Sequence, residues 1–419
     1  MSKVCLQILP NAKCLFDEPV QLKVDRLKPR QQVDLRAEVT DDKGIVFRSS
    51  ATYEANCSGT IDLTTASSLG GSYTGVEPMG LLWSLKPNNL YTKFVKKVVS
   101  VPCLVNFSVH SKDSPGILAE VINERSLLAE GVRRIPVKEG KLRGVLFVPP
   151  EIGPHPAVLD LYTYGRGLSE ARASLLANRG FVVFTVSLYG ADDNPKNVTK
   201  IHLEYFEEAI QFLKNQPQVC GSGLGLLSLS KSGDLALSIA TFLPGIAATV
   251  WINGCNANAM IPLHYKGTVI PPLMLDTKRV FATKSGALNV KYVINDPMAE
   301  ENQATLIPIE RANGRFLFVA AEDDQNWDSC YFANQAMHQL KHHGKDNYES
   351  VFYPGAGHYL ETPYMPFCPA SIHGVIGKPV VWGGVPRSHA AAEVDLWRRI
   401  QEFFRTNLAN DSNLSKAKL

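Results

Sequence analysis

The chain opens with apolar residues recurring at every second position. "VQLKVDRL" (20–27), "VDLRAEVTD" (33–41), "IVFRSSATYEA" (45–55) and "LVNFSVHS" (104–111) alternate in period two or are dense in β-branched residues. Side chains two apart share one face of a strand, so each stretch predicts a half-buried strand. Asp42-Lys43-Gly44 marks a turn between two of them. Short strands separated by turn signals predict a β-sandwich of about 100 residues or a little more.

Around residue 130 the period changes. "LRGVLFVP" (142–149) is a strand that stops at Pro149-Pro150. Apolar strands then alternate with helical segments: "AVLDLY" (157–162), a helix near 169–179, "FVVFTVSLY" (181–189) and a helix near 199–215. The second helix places Leu203, Phe206, Ile210 and Leu213 on one face. Further along come "GLGLLSLSKSGDLALSIATFL" (223–243), "ATVWING" (248–254), "FLFVAA" (316–321) and "SVFYP" (350–354). A last helix aligns Trp397, Ile400 and Phe404. Near-continuous apolar strands between helices predict an α/β domain whose mostly parallel sheet is covered on both faces. The expected organisation is a β-sandwich over 1–130, an α/β domain over 131–410 and a tail over 411–419. The stretch 255–310 is longer than a crossover needs. It is expected either to shape an apolar pocket or to form a helical excursion over the sheet.

The bulk numbers narrow the classes of partner. The 419 residues carry 43 basic and 40 acidic side chains, a formal net charge of +3. That balance gives no field for gripping nucleic acid. No apolar run approaches the roughly 18 residues of a membrane span. The eight cysteines are scattered without a CxxC pair, so reduced thiols and an intracellular protein are expected. The first residues lack the long apolar core of a signal peptide. Ala417-Lys418-Leu419 is a close variant of a peroxisomal address, which implies the import receptor as a partner; the bland alternative is a frayed polar tail. No metal-ligand spacing is visible, since His342 and His343 are adjacent, and no cofactor is expected.

The chemistry gathers on three loops that each follow a strand. Ser230 stands between the apolar strand and the helix of 223–243, flanked by Ser228 and Ser232. A nucleophile elbow needs small residues at those flanks. That segment alone also fits a helix N-cap serine. "FLFVAAEDD" runs straight into Asp323 and Asp324, and "SVFYPGAGH" turns through Pro-Gly to His358. Ser, then Asp, then His, each just after a strand, is the order of an α/β-hydrolase triad. In that reading Ser230 attacks a carbonyl, His358 moves the proton and an aspartate holds the histidine. The oxyanion would be met by the backbone N–H of Lys231 and by the loop 162–167, at Tyr164 and Gly165. The residues alone leave Asp323 and Asp324 open.

Longer stretches carry a resemblance. "FDEPV", "SSLGGSYTGVEPMGLLWSLKP", "LRGVLFVPPEIGP", "ARASLLANRGF", "HLEYFEEAIQFL", "YPGAGHYLETPY" and "VVWGGVPRSHA" together resemble the acyl-CoA thioesterases grouped with bile acid-CoA:amino acid N-acyltransferases (type I acyl-CoA thioesterases). The resemblance implies an immunoglobulin-like sandwich followed by an α/β-hydrolase domain, an acyl-CoA substrate, and Ser230, Asp324 and His358 as the triad. It selects Asp324 over Asp323. Two departures stand out: the family has glycine where this chain has Ser228 and Ser232, and Tyr164 and Arg166 add bulk to the oxyanion loop. That bulk narrows the acyl site, meets a CoA phosphate or perturbs the oxyanion hole; the three remain open, the last leading to an acyl-CoA binder without turnover. The family holds both hydrolases and amino acid acyltransferases. A serine ester is a poorer acyl donor to amines than a cysteine thioester, so Ser230 argues for hydrolysis to free fatty acid, with transfer to taurine or glycine as the alternative.

Overall fold

The computed structural model describes residues 3–112, 115–162, 168–188, 198–221 and 223–408. Two compact units divide the chain. The first comprises residues 1–129 and a short returning segment, 361–368; the second comprises 130–360 and 369–419.

The first unit is built almost wholly from strands. A three-stranded antiparallel sheet joins Cys5–Leu9, Gln21–Asp25 and Ile61–Asp62. A larger sheet runs in the order Lys13–Leu15, Ile117–Ser126, Cys103–Ser111, Gln32–Thr40, Val46–Glu54, Gly70–Gly71, with Lys86–Pro87 also paired to Val46–Glu54. Along Gln32–Thr40 the buried residues are Val33, Leu35, Ala37 and Val39, the period-two set read from sequence. The chain turns at Asp42-Lys43-Gly44 as expected, and Asp41 organises the turn. Asp41 Oδ1 accepts the N–H groups of Lys43 and Ile45 at 2.8 and 2.9 Å, an Asx-type turn. Along Ile117–Ser126 only Asn123 and Arg125 are buried.

The second unit holds a mixed eight-stranded sheet. We number its strands β1 (Arg133–Glu139), β2 (Leu142–Val148), β3 (Ala157–Leu161), β4 (Val182–Val186), β5 (Leu224–Leu229), β6 (Ile246–Ile252), β7 (Arg315–Ala321) and β8 (Tyr348–Tyr353). Their order across the sheet is β1-β2-β4-β3-β5-β6-β7-β8. β1 and β2 form an antiparallel hairpin, β2 is antiparallel to β4, and the other pairs are parallel. Every residue of β3, β4 and β5 is buried, which requires cover on both faces. The helices are α1 (Ala171–Ala177), α2 (Leu203–Lys214), α3 (Ser232–Phe242), α4 (Ser329–His342) and α5 (Pro386–Leu408).

Two sequence expectations are corrected. The helix expected near 199–215 starts only at Leu203, because Ile201–His202 pair as a short strand with Leu263–Tyr265. Leu203, Phe206, Ile210 and Leu213 are indeed its buried face. The helical-excursion alternative for 255–310 fails: among the described residues this stretch contains short strands and 3-10 turns. Two small sheets incorporate it, one with Ile201–His202 and one with Ala370–Ile372 and Pro379–Val381.

Candidate active site

The strand order brings three chain-distant loops together. β6 lies between β5 and β7, and β8 lies next to β7, so the C-terminal ends of β5, β7 and β8 release their loops side by side. Ligand and catalytic groups gather at such ends in parallel sheets.

Ser230 follows β5 directly. Its backbone sits in the left-handed region at φ 59°, where a non-glycine residue is held only by surrounding contacts. Its N–H donates to the Ile252 carbonyl at 2.9 Å, and its carbonyl accepts from Gly233 N–H at 2.7 Å. The N-cap alternative is therefore replaced: the residue before α3 is Lys231, without a side-chain cap, and the Ser230 hydroxyl turns to His358. Ser230 Oγ lies 2.9 Å from His358 Nε2. His358 Nδ1 lies 2.7 Å from Asp324 Oδ2. The two hydrogen bonds together place the proton of the imidazole on Nδ1 and leave Nε2 to accept the serine hydroxyl.

The flanking Ser228 holds the neighbouring strand. Ser228 is fully buried and its hydroxyl donates to the Val250 carbonyl at 2.9 Å. The close crossing of strand and helix falls at Gly233 instead. A Cβ there would lie 2.8 Å from Trp251 Nε1 and 3.0 Å from the Gly254 Cα, too near for any side chain.

Both carboxylate oxygens of Asp324 are bonded. Asp324 Oδ1 accepts the N–H groups of Asn326 and Trp327 at 2.8 and 2.9 Å. Its Oδ2 accepts from Ser329 Oγ as well as from the histidine. Asp323 points elsewhere: Oδ1 accepts from Gln325 Nε2 at 2.7 Å and Oδ2 from Gly384 N–H at 2.8 Å. It braces the loop.

Several supporting groups left no signal in the sequence. Lys231 Nζ is buried and pairs with Asp234 Oδ2 at 2.5 Å; that oxygen also accepts from Ala259 N–H at 2.7 Å. Burial pushes the Asp234 carboxyl up, and Lys231 opposes the shift. The pair anchors the turn that carries the Lys231 N–H. The Trp382 ring stacks on the His358 ring with centroids 5.7 Å apart, and its carbonyl accepts the His358 N–H at 2.9 Å. Asn326 Nδ2 stands 3.2 Å from His358 Nε2. At the end of β3, Asp160 and Arg172 form a buried ion pair from which the next loop departs. Tyr164, Gly165 and Arg166 of that loop lie outside the described residues, as does the tail with Ala417–Leu419. Among the described residues no cluster of three or more His, Cys, Asp or Glu stands ready for a metal, and none of the eight cysteines is in a disulfide.

Comparison with known proteins agrees with the sequence resemblance. The acyl-CoA thioester hydrolase/BAAT N-terminal region matches residues 17–139, and the BAAT/acyl-CoA thioester hydrolase C-terminal region matches 201–410. Human acyl-coenzyme A thioesterase 1 is 45% identical over 413 residues, covering 98% of both chains. Human acyl-coenzyme A thioesterase 2, named mitochondrial, is 45% identical over 98% of this chain and 86% of its own. Mouse acyl-coenzyme A thioesterase 3 is 44% identical over 98% of this chain and 96% of its own. Among solved structures, Pyrococcus horikoshii acylaminoacyl peptidase aligns with 94% of this chain and 60% of that chain at 14% identity and a TM-score of 0.44. With both halves matched and identity sustained along nearly all its length, the chain belongs to the acyl-CoA thioester hydrolase/BAAT family.

Proposed function

We propose that the chain is a serine-dependent acyl-CoA thioesterase of the α/β-hydrolase type, releasing free fatty acid and CoA. The observation that carries this reading is the continuous path Ser230 Oγ, His358 Nε2, His358 Nδ1, Asp324 Oδ2, with hydrogen bonds of 2.9 and 2.7 Å. Ser230 Oγ attacks the thioester carbonyl as His358 Nε2 takes its proton. The carbonyl oxygen becomes an oxyanion, for which the Lys231 N–H is one donor and the Tyr164–Gly165 loop the second. Collapse breaks the carbon–sulfur bond, and His358 returns the proton to the CoA thiolate. Water then attacks the acyl-serine with the same histidine as base; the acyl–Oγ bond breaks, His358 returns the proton to Ser230 Oγ, and the free acid leaves. A thioester has weak resonance stabilisation and a good leaving group, so this apparatus suffices.

The test is CoA thiol release from a panel of acyl-CoAs by the purified protein, with and without taurine or glycine, the acyl product being weighed by mass spectrometry. Free acid as sole product is expected. Acyl-taurine or acyl-glycine would replace the hydrolase reading with the transferase one.

We read the strand-rich first unit as immunoglobulin-like, from its alternating burial and antiparallel pairing. We also read Ala417–Leu419 as a peroxisomal address in fatty acid metabolism. Deleting these three residues should leave a tagged protein cytosolic; unchanged peroxisomal location overturns that assignment.

A further inference from the structure

A second histidine grips the loop that carries His358. His389 lies on α5 with only 5% of its surface exposed. Its Nδ1 accepts the N–H of Gly357 at 3.0 Å, and its Nε2 donates to the Tyr359 carbonyl at 2.8 Å. Those two groups flank His358 on either side. Glu393 Oε1, one helical turn on and also buried, stands 3.4 Å from the same Nε2. The start of α5 is tied to this loop a second time, because Val385 N–H donates to the Gly355 carbonyl at 2.7 Å. On the far side of the loop, a Cβ on Gly357 would come within 2.4 Å of the Gly383 carbonyl oxygen. The backbone before His358 is thus wedged between Gly383 and the His389 ring.

The chemistry of the clamp is specific. Gly357 offers a donor and needs an acceptor; Tyr359 offers an acceptor and needs a donor. A neutral imidazole carrying its hydrogen on Nε2 supplies one of each. Lysine and arginine have no acceptor, and a carboxylate has no donor. The side chain of His358 spends both ring nitrogens on Ser230 and Asp324, so the height of the ring is set by its backbone together with the Trp382 ring stacked on it. A misplacement of about 1 Å at a reacting group costs about 100-fold in rate.

We propose that His389 is a positioning residue for catalysis: by holding Gly357 and Tyr359 in one tautomer-specific grip, it sets His358 Nε2 at hydrogen-bonding distance from Ser230 Oγ. This rests on the triad reading above. Three variants of the full chain test it. His389→Leu removes donor and acceptor at similar volume. His389→Gln keeps one of each side by side. His389→Asn keeps both on a side chain one bond shorter, too short to serve both loop groups.

Measured quantities are kcat and KM for acyl-CoA hydrolysis, the rate of phosphonylation by a serine-directed fluorophosphonate, and the melting curve. His389→Leu should lose about 30- to 100-fold in kcat, with KM within about threefold and phosphonylation slowed in parallel. His389→Gln should recover to within about fivefold of the parent, with His389→Asn between the two. A folded His389→Leu protein with kcat within about twofold of the parent overturns the proposal. So does a loss expressed as raised KM, or a glutamine variant no better than leucine. If the leucine variant does not fold, the Gln and Asn pair decides, and equal kcat in those two overturns the proposal. Ser230→Ala runs alongside: activity surviving there means that the triad reading, rather than the clamp, has failed.

Discussion

The side-chain amide of Asn253 donates to the backbone carbonyl of His358 at 2.7 Å. The same amide accepts the N–H of Ala321, at the end of β7, at 2.8 Å, and the preceding residue, Ile252, receives the N–H of Ser230. The end of β6 therefore touches all three loops of the proposed triad. Asn253 is wholly buried at φ 47°, a conformation asparagine tolerates better than most residues. Asn253→Ala leaves the buried Ala321 N–H without this partner, at about 1–3 kcal/mol, and leaves the His358 carbonyl with the Leu360 N–H, at 3.2 Å. Urea melts should show a loss of about 2 kcal/mol, and kcat should fall further than the fraction of folded protein explains. Asn253→Asp should be worse in kcat, because it sets a carboxylate oxygen against the His358 carbonyl. An alanine variant with unaltered melting and kcat would remove this role.

Ser230→Ala should abolish turnover while leaving stability within about 1 kcal/mol, since the backbone bonds of Ser230 do not involve its hydroxyl. Ser230→Gly should be equally inactive yet more stable, by about 1 kcal/mol, because glycine adopts φ 59° without strain. Thermal melts of the two variants compare this directly. Near-normal thiol release from either variant excludes Ser230 as the nucleophile.

Ser230→Cys changes which acceptor takes the acyl group. The intermediate becomes a thioester, more open to amines than an oxygen ester. With taurine or glycine present, mass analysis should find a larger fraction of amide product than the parent enzyme makes. An unchanged product ratio would mean that access to the site, rather than the nucleophile's heteroatom, selects the acceptor.

The two neighbouring aspartates should separate cleanly. Asp324→Asn should lower kcat by about four orders of magnitude, the scale seen when a triad acid no longer fixes its histidine tautomer. Asp323→Asn should cost about tenfold or less, through the Gly384 contact it loosens. The reverse order in steady-state assays would transfer the acid role to Asp323.

Stability should fall in acid partly through His373. Burial first, and the neighbouring His358 second, lower its pKa from 6.5 to about 4. The geometry agrees: its Nδ1 accepts the N–H groups of Val375 and Ile376 at 3.1 and 3.2 Å and so must be unprotonated. A depressed folded-state pKa means that the unfolded chain binds the proton more tightly. The contribution is complete above pH 6.5 and is lost as pH falls towards about 4. It amounts to on the order of 2 kcal/mol, allowing for partial exposure. His373→Asn keeps an acceptor but does not titrate. Denaturant melts at pH 7 and pH 4.5 should show a smaller difference for the variant; an equal difference places the acid sensitivity elsewhere.

The order of elements and the chemical candidates were legible along the chain. Period-two alternation marked Gln32–Thr40 and Val46–Glu54, and apolar runs marked β3 through β7, because burial on one face or two writes itself directly into residue type. Ser230, Asp324 and His358 were each marked by ending a strand, and a resemblance chose between the aspartates. Sequence spacing could not supply adjacency. Only the sheet order puts the ends of β5, β7 and β8 side by side, and so brings Ser230 to His358, 128 positions further along the chain. The same cause hid Asn253, Trp382, His389 and the Lys231–Asp234 pair. Each is an ordinary residue type in its local segment, and its role arises from what a distant segment presents to it: a carbonyl, a ring, or a buried amide needing a partner. Composition and periodicity determined which pieces exist; tertiary packing determined which of them meet.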